Sequence, residues 1–323
     1  MEKYLIGLDV GGTKCAVTLG RTVADGQPPE ILEKVKFPTE VGKPYETLEA
    51  FAAETDGILS RASLTYDDIS GIGISCGGPL DSVRGVVLSP PNLPGWDGIP
   101  VCEFFEKRTG IKCYLQNDAN ACAVAEWKYG AGRGYKDMAF LTFGTGLGAG
   151  LILGGRLHRG HSDNAGEIGH VRLEEDGPIG YGKRGSAEGF CSGGGIRQLG
   201  ISAVRKAVEN GEIPEIYRVC EGDVERITAK MIGDLAESGD EFCREIYRVS
   251  ARKLGLTVSI LCDVVDPEIV VIGGIYMRSA ELIEPELLRV LGEEALLPCK
   301  VVAAGLGERV GDFAALSVAT GEF

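Results

Sequence analysis

Two short runs set glycines and a hydroxyl side chain between apolar stretches: Gly11-Gly12-Thr13 after Tyr4 to Val10, and Gly144-Thr145-Gly146 within 138–153. Glycine-rich turns between strands expose backbone N–H groups that can point at phosphate oxygens, and Thr13 and Thr145 each add a donor. Used together, the two turns would hold both ends of a triphosphate; either alone also fits an ordinary hairpin turn. Asp9 ends the first apolar stretch, where a carboxylate buried without a partner is costly. It must therefore face a cation such as Mg²⁺ near the phosphates, or cap the turn through the Gly11 and Gly12 amides.

Asn117-Asp118 stands between a strand-like run and a helical pattern. An aspartate in that position either caps the helix N-terminus or deprotonates a hydroxyl as it attacks phosphorus. Glu167, His170 and Glu188 lie in the glycine-rich segments AGEIGH and GSAEGF, where no amphipathic pattern accounts for them. Polar side chains carried on loops suit recognition of several hydroxyls, with solvated loop charge as the alternative. Two look-alikes fail on context. Residues 144–149 fit the dinucleotide pattern G-x-G-x-x-A, but that pattern needs a helix next and Leu147 to Leu153 reads as a strand. Gly177 to Arg184 nearly matches a P-loop, but Arg184 stands where Ser or Thr must bind magnesium. His158, His161 and His170, the only three histidines, match no compact zinc spacing.

Positioning these residues takes alternating strands and helices. The pattern predicts a hairpin over 4–19, a helix over 43–62, a strand over 69–75, a strand over 111–115, and a helix over 119–129 that starts just past Asp118. A second strand, glycine turn and strand over 138–153 repeats the opening unit in pattern, which suggests two related halves. Glycine-rich loops follow to 195, then helices over about 196–265, a strand over 268–272 ending at Gly273-Gly274, a helix near 280–296, a strand over 300–304 and a last helix near 312–321. At 323 residues the chain exceeds what one core usually supports, so two domains with a cleft between them are expected.

A net charge of -14 with no Lys/Arg-rich run disfavours nucleic acid as a partner. The N-terminal residues show no export leader and no apolar run is long enough to span a bilayer, so a soluble, unexported, cytoplasmic protein is expected. The ten cysteines are scattered without the clustered spacing of a disulfide scaffold, which fits free thiols in a reducing compartment.

Seven motifs in order, LDVGGTK (8–14), GGPLD (77–81), PNLPGW (91–96), NDANA (117–121), FGTGLGAG (143–150), AGEIGH (165–170) and DPEIVVIGG (266–274), resemble the ROK family of sugar kinases and related repressors. The resemblance covers nearly the whole chain. It implies an α/β, actin/hexokinase-like (ribonuclease H-like) two-domain fold with a central cleft. The expected division is a small N-terminal domain, 1–118 with a C-terminal helix near 307–323, and a larger domain, 119–306. Gly11, Gly12, Thr13 and Lys14 would form the first phosphate loop, Gly144, Thr145 and Gly146 the second with Thr142 beside it, and Gly274 part of the adenosine pocket. Asp9 would approach Mg²⁺ through water. Asp118 would be the base, with Asn92, Asn117, Glu167, His170 and Glu188 holding sugar hydroxyls and Gly78 contributing backbone near the same ring.

The activity implied is transfer of the γ-phosphoryl group of Mg-ATP to a hexose or N-acetylhexosamine hydroxyl, O6 being expected. A homodimer or homotetramer is implied too. One departure stands out. ROK kinases hold a structural zinc with C-x-C-G-x-x-G-C-x-E and the histidine of the GH pair, whereas this chain reads Ile179-Gly-Tyr181-Gly182-Lys-Arg-Gly185-Ser186-Ala-Glu188, so no structural zinc is expected. Rival readings are a non-catalytic sugar sensor, against which the intact Asp9, Asp118 and glycine loops count, and a dinucleotide oxidoreductase. A DNA-binding repressor is disfavoured because the first phosphate-loop strand starts at residue 4.

Overall fold

Tyr4–Val10 is apolar on both faces apart from Asp9, the composition of a strand covered on both sides. In the computed structural model, which describes residues 3–23 and 26–323, it is a central strand, β1. The chain turns at Gly11–Thr13 into β2 (Lys14–Arg21), which pairs antiparallel with β1 and sets Asp9 opposite Ala16. β3 (Glu30–Pro38) continues the antiparallel ladder. Helix α1 (Pro44–Arg61) then leads to β4 (Ile69–Cys76), parallel to β1 with Ser75 beside Asp9. A small three-stranded sheet of β5 (Leu80–Asp81), β6 (Val86–Leu88) and β7 (Asp97–Ile99) precedes α2 (Val101–Thr109), β8 (Cys113–Asn117) and α3 (Asp118–Tyr129).

The second half opens with β9 (Met138–Phe143), the turn at Gly144–Gly146, β10 (Leu147–Ile152) and β11 (Leu157–His158). The hairpin β12 (Ile179–Gly180) and β13 (Lys183–Arg184) follows, then α4 (Ala187–Phe190), α5 (Gly193–Glu209), α6 (Glu215–Val219), α7 (Ala229–Glu237) and α8 (Glu241–Val265). The chain ends with β14 (Ile269–Ile272), α9 (Ile275–Arg278), α10 (Ala280–Glu294), β15 (Lys300–Ala303) and α11 (Val310–Ala319). The two large sheets have the orders β3-β2-β1-β4-β8 and β11-β10-β9-β14-β15. Each sets three consecutive strands side by side as a meander and adds two parallel strands next to the first of them, so the repeat expected from the sequence is a repeat of topology.

Internal packing divides the chain into two units: Met1–Lys136 with Gly150–Ala165 and Gly305–Phe323, and Asp137–Ala149 with Gly166–Ala304. The division expected from the sequence ended the first domain at 118, whereas here α3 and the 150–165 segment pack with the first unit. In that unit Leu48, Phe51, Ile58 and Phe105 of α1 and α2 cover the face of the first sheet that presents Ile6 and Leu8. On the other face α11 meets Leu5 through Leu316 and Ala319. It lies so close that a Cβ on Gly73 would stand 2.1 Å from the Ala315 carbonyl oxygen, so only glycine admits the helix there. In the second unit α8 and α10 cross at a similar glycine contact, where a Cβ on Gly255 would come within 2.9 Å of the Leu287 carbonyl.

One buried charge organises the first unit. Glu126 of α3 is fully buried, and its carboxylate accepts from the amides of Ala131 (2.8 Å), Gly305 (2.9 Å) and Leu306 (2.8 Å). Helix α3 is thereby stitched to the segment that leads into α11. Truncation would leave a cavity at a fully buried position and take the acceptor from three partly exposed amides, which water can reach in part, so each loses less than the 1–3 kcal/mol or so of a donor shut away from water. Glu126→Ala is expected to lower the free energy of unfolding by roughly 1–3 kcal/mol, checked by urea denaturation.

Candidate functional site

The residues singled out in the sequence divide between the units, and within each unit the fold brings them together. In the first, Asp9 sits one residue before the end of β1 and the Gly11–Thr13 turn follows at once. Thr39 ties this turn down: its hydroxyl donates to the Gly11 carbonyl (2.7 Å) and its amide to the Thr13 carbonyl (3.1 Å). With the carbonyls engaged, the Gly12 and Thr13 amides make no hydrogen bond among the described residues, which leaves two donors for an anion. A Cβ on Gly12 would lie 2.5 Å from the Asn92 carbonyl oxygen, and one on Gly77 3.3 Å from the Asn92 side chain. Asn92 therefore bridges the turn and the Gly77-Gly78 segment. Gly78 itself faces open space, with nothing within 4 Å of the place a Cβ would take.

Asp9 has neither of the partners that a turn cap requires, since no amide of Gly11 or Gly12 reaches it among the described residues. Burial pushes its carboxyl up to about 6, with Lys34 pulling it down, Asp118 and Asp312 pushing it up, and Lys36 pulling it down. Lys34 is itself ion-paired with Asp312. A desolvated carboxylate whose neighbours include two more carboxylates is a place where a divalent cation relieves charge. A single protein carboxylate, with water and phosphate oxygens completing the shell, suits Mg²⁺. Among the described residues no three His, Cys, Asp or Glu side chains converge as an all-protein metal cage.

The strand read at 111–115 lies two residues later, at Cys113–Asn117, and this decides the role of the pair that follows. Asn117 is the helix cap: its side-chain oxygen accepts the Asn120 amide at 2.7 Å. Asp118, the first helical residue, is thus relieved of capping, and its carboxylate accepts the adjacent Ala119 amide at 2.8 Å. It is open to solvent, yet enough protein surrounds it that burial raises its pKa, opposed by the amides of Ala119 and of Asp118 itself.

In the second unit Thr142 of β9 accepts the Gly148 amide at 3.2 Å and so squares off the Gly144–Gly146 turn. The Gly144 amide closes the turn on the Gly146 carbonyl (3.0 Å), while the Thr145 and Gly146 amides make no hydrogen bond among the described residues. The free pair of amides repeats that of the first turn. Glu188 reaches the same place: one of its oxygens accepts the Leu147 amide at 3.2 Å and would lie 2.7 Å from a Cβ on Gly146. The AGEIGH segment is strapped to β10, with the Ala149 amide donating to Gly166 (2.8 Å) and a Cβ on Gly169 excluded by the Leu147 carbonyl at 2.1 Å. Glu167, exposed, and His170 are presented from the 3₁₀ turn that follows this strap.

The segment that nearly matched a P-loop is the β12–β13 hairpin; its lysine lies in strand β13 rather than at the start of a helix, and the short helix α4 begins only after Gly185 and Ser186. Gln198 of α5 clamps the hairpin, donating to the Ile179 carbonyl and accepting its amide, both at 2.9 Å. The Tyr181 ring meets the His170 ring edge-on at 4.8 Å, and Lys183 donates to the His170 carbonyl at 2.6 Å. Aromatic and hydrogen-bonded contacts thus join the hairpin to the histidine. Strand β10 directly follows the 144–146 turn, which removes the helix that a dinucleotide site needs.

Two further features stand near the second turn. Gly193 donates to the Gly144 carbonyl at 2.8 Å, so the 17-residue helix α5 begins beside the second turn with its positive end there. The Ser192-Gly-Gly-Gly195 run was the available signal, with Ser192 capping Gly195, but glycines argue against a helix start. Gly274, at φ 70°, sits with its α-carbon against the Phe143 carbonyl, where a Cβ would come within 2.1 Å. A cavity of about 510 Å³ opens next to it between Lys230, Asp234, Tyr247, Ile275, Arg278 and Ser279. A larger one of about 960 Å³, around Ser82, Tyr114, Arg156, Arg159, His161 and Phe323 of the first unit, contains none of the residues expected to hold phosphate, sugar or magnesium.

Asp9 carries a pH signature. Its carboxyl rises from 3.8 to about 6 on folding, so the folded state holds the proton more tightly than the unfolded one and stability is lost as pH rises from about 4 through 6. In metal-free buffer, Asp9→Asn is expected to gain roughly 2–3 kcal/mol on the wild type between pH 4 and pH 7, read from urea unfolding at each pH.

The chain matches the ROK family over residues 5–321. A glucokinase of Thermotoga maritima is 34% identical over 320 residues, covering 97% of this chain and 96% of that protein. A xylose repressor of Caldicellulosiruptor bescii is 30% identical over 295 residues, which span 91% of this chain and 71% of the repressor. The crystal structure of a ROK family glucokinase from Streptomyces griseus in complex with glucose and AMPPNP has a TM-score of 0.77 to this chain at 30% identity, covering 98% of this chain and 99% of that one.

Proposed function

The chain belongs to the ROK family and has its actin/hexokinase-like α/β fold, and from that footing we propose that it is a sugar kinase that transfers the γ-phosphoryl group of ATP to a hexose, glucose or a close relative, at O6. The observation that carries this reading is the state of Asp118. Asn117 caps the helix in its place, solvent reaches it, and burial raises its affinity for protons towards the working range of a general base.

In this mechanism Asp118 accepts the proton of the acceptor hydroxyl as its oxygen attacks phosphorus. Asn117 keeps its side-chain NH₂ for a neighbouring sugar hydroxyl, since only its oxygen is engaged by the helix. Asn92, the Gly78 backbone, Glu167, His170 and the second oxygen of Glu188 hold the remaining hydroxyls. The free amides of Gly12 and Thr13, and of Thr145 and Gly146, receive phosphoryl oxygens, with Thr13, Lys14 and the amino end of α5 adding positive potential. The close approach of Gly274 to β9 leaves the neighbouring cavity for adenosine. Asp9 would hold Mg²⁺ near the phosphoryl group, where the ion would supply neutralisation of the charge that develops in transfer. Exclusion of water from the assembled site keeps hydrolysis of ATP slow in the absence of sugar.

Asp118→Asn preserves the shape of the site and removes the base. Its turnover is expected to fall roughly 10²- to 10⁴-fold, followed as ADP release, while sugar affinity by calorimetry stays within a few-fold of wild type. A variant that keeps more than a tenth of wild-type turnover would remove Asp118 from the chemistry.

A further inference from the structure

Ten cysteines are free in this chain, and two of them face each other in the second unit. Cys262, in the last turn of α8, and Cys299, one residue before β15, lie 37 positions apart in sequence with their sulfurs 3.0 Å apart. The surrounding backbone is held in register by independent bonds. The Leu296 amide donates to Asp263 at 2.9 Å, and Lys300, next to Cys299, pairs with Ile269 at the start of β14. Neither sulfur therefore depends on a loose segment for its position. Cys262 is buried and Cys299 is partly open, which gives a small reagent a path to the pair.

We propose that Cys262 and Cys299 are a covalent modification site at which a peroxide closes an intramolecular disulfide in the folded protein. The Cys262 thiolate attacks a peroxide oxygen and becomes the sulfenic acid as hydroxide leaves. The Cys299 sulfur then attacks that sulfur, its proton leaves with the departing oxygen as water, and the disulfide forms. In sum, two thiols and one hydrogen peroxide give one disulfide and two waters. The hydrogen bond from Cys299 lowers the Cys262 thiol to about 7, which supplies the thiolate near neutral pH, while the thiol of Cys299 is raised and keeps its proton. The ring so closed contains β14, Gly274, α9 and α10, so oxidation would fasten the strand that carries Gly274 at both ends of its connection.

The chain holds its own control. Cys102 and Cys113 of the first unit also neighbour each other, but both are buried, and burial together with Cys102 raises the Cys113 thiol. The test is brief exposure of the fully reduced, folded protein to hydrogen peroxide, alkylation of remaining thiols, digestion and mass spectrometry. A cross-linked peptide joining Cys262 to Cys299 is expected, with Cys102 and Cys113 recovered alkylated. A melting point roughly 5 °C higher for the oxidised wild type, with no rise for Cys299→Ser, is expected from closing a ring of this length. In Cys299→Ser, Cys262 should be trapped as the sulfenic acid. Recovery of both Cys262 and Cys299 as alkylated thiols, a cross-link that forms only after denaturation, or equal cross-linking at Cys102–Cys113 would each overturn the proposal. Because no step uses sugar or nucleotide, these outcomes stand apart from those that test the kinase reading.

Discussion

A carboxylate shut away from water has to be matched by donors, and the way Glu126 is matched fixes much else in the first unit. Its three amide donors come from two places far apart in sequence, Ala131 just beyond its own helix and Gly305-Leu306 before α11. Helix α3 cannot slide or rotate against the C-terminal segment without leaving part of that charge unsatisfied. The other end of α3 carries Asp118. A charge buried for structural reasons thus holds in register the charge that is reachable for chemistry, and α11, docked through Gly73, locks the same helix against β1 and β4, where Asp9 lies.

The second theme is repetition. Both halves place a glycine turn between antiparallel strands, engage the carbonyls or flanking hydroxyls of the turn, and leave two successive amides without an acceptor among the described residues. Thr39 does the tying in one half, Thr142 and Glu188 in the other. The glycines admit close neighbours: the Asn92 backbone carbonyl would stand 2.5 Å from a Cβ on Gly12, which only glycine accommodates, and a Glu188 carboxylate oxygen would stand 2.7 Å from one on Gly146.

Much of this was legible in the sequence because it is local. The strand-turn-strand units, the helix beginning at Asp118 and the strand ending at Gly273 follow from hydrophobic runs punctuated by glycine. The same reading left Asp9 and Asp118 each with two roles, and only geometry separates them: Asn117 takes the cap, and no turn amide reaches Asp9 among the described residues. The strand Glu30–Pro38 escaped notice because its charged, half-exposed residues are those of a sheet edge. The strands of residues 80–99 are too short, and the stretch too rich in proline, to show a period. The grouping of α3 with the first unit depends on contacts with residues nearly two hundred positions away, and the approach of Cys262 to Cys299 is likewise a product of tertiary folding. The β12–β13 hairpin shows a subtler limit. Missing thiolates were plain in the sequence, but that Tyr181 and Lys183 turn to His170, and that Gln198 clamps Ile179, could be seen only in the fold.

The central claim is that the two sets of residues serve one phosphoryl transfer to a sugar. Release of ADP from Mg-ATP, measured in a coupled assay across hexoses, N-acetylhexosamines and a blank without sugar, tests it most directly. The account predicts turnover with glucose or one of its close relatives and little in the blank. Silence across the panel by a protein that still binds sugar, or hydrolysis in the blank as fast as with any sugar, would contradict it.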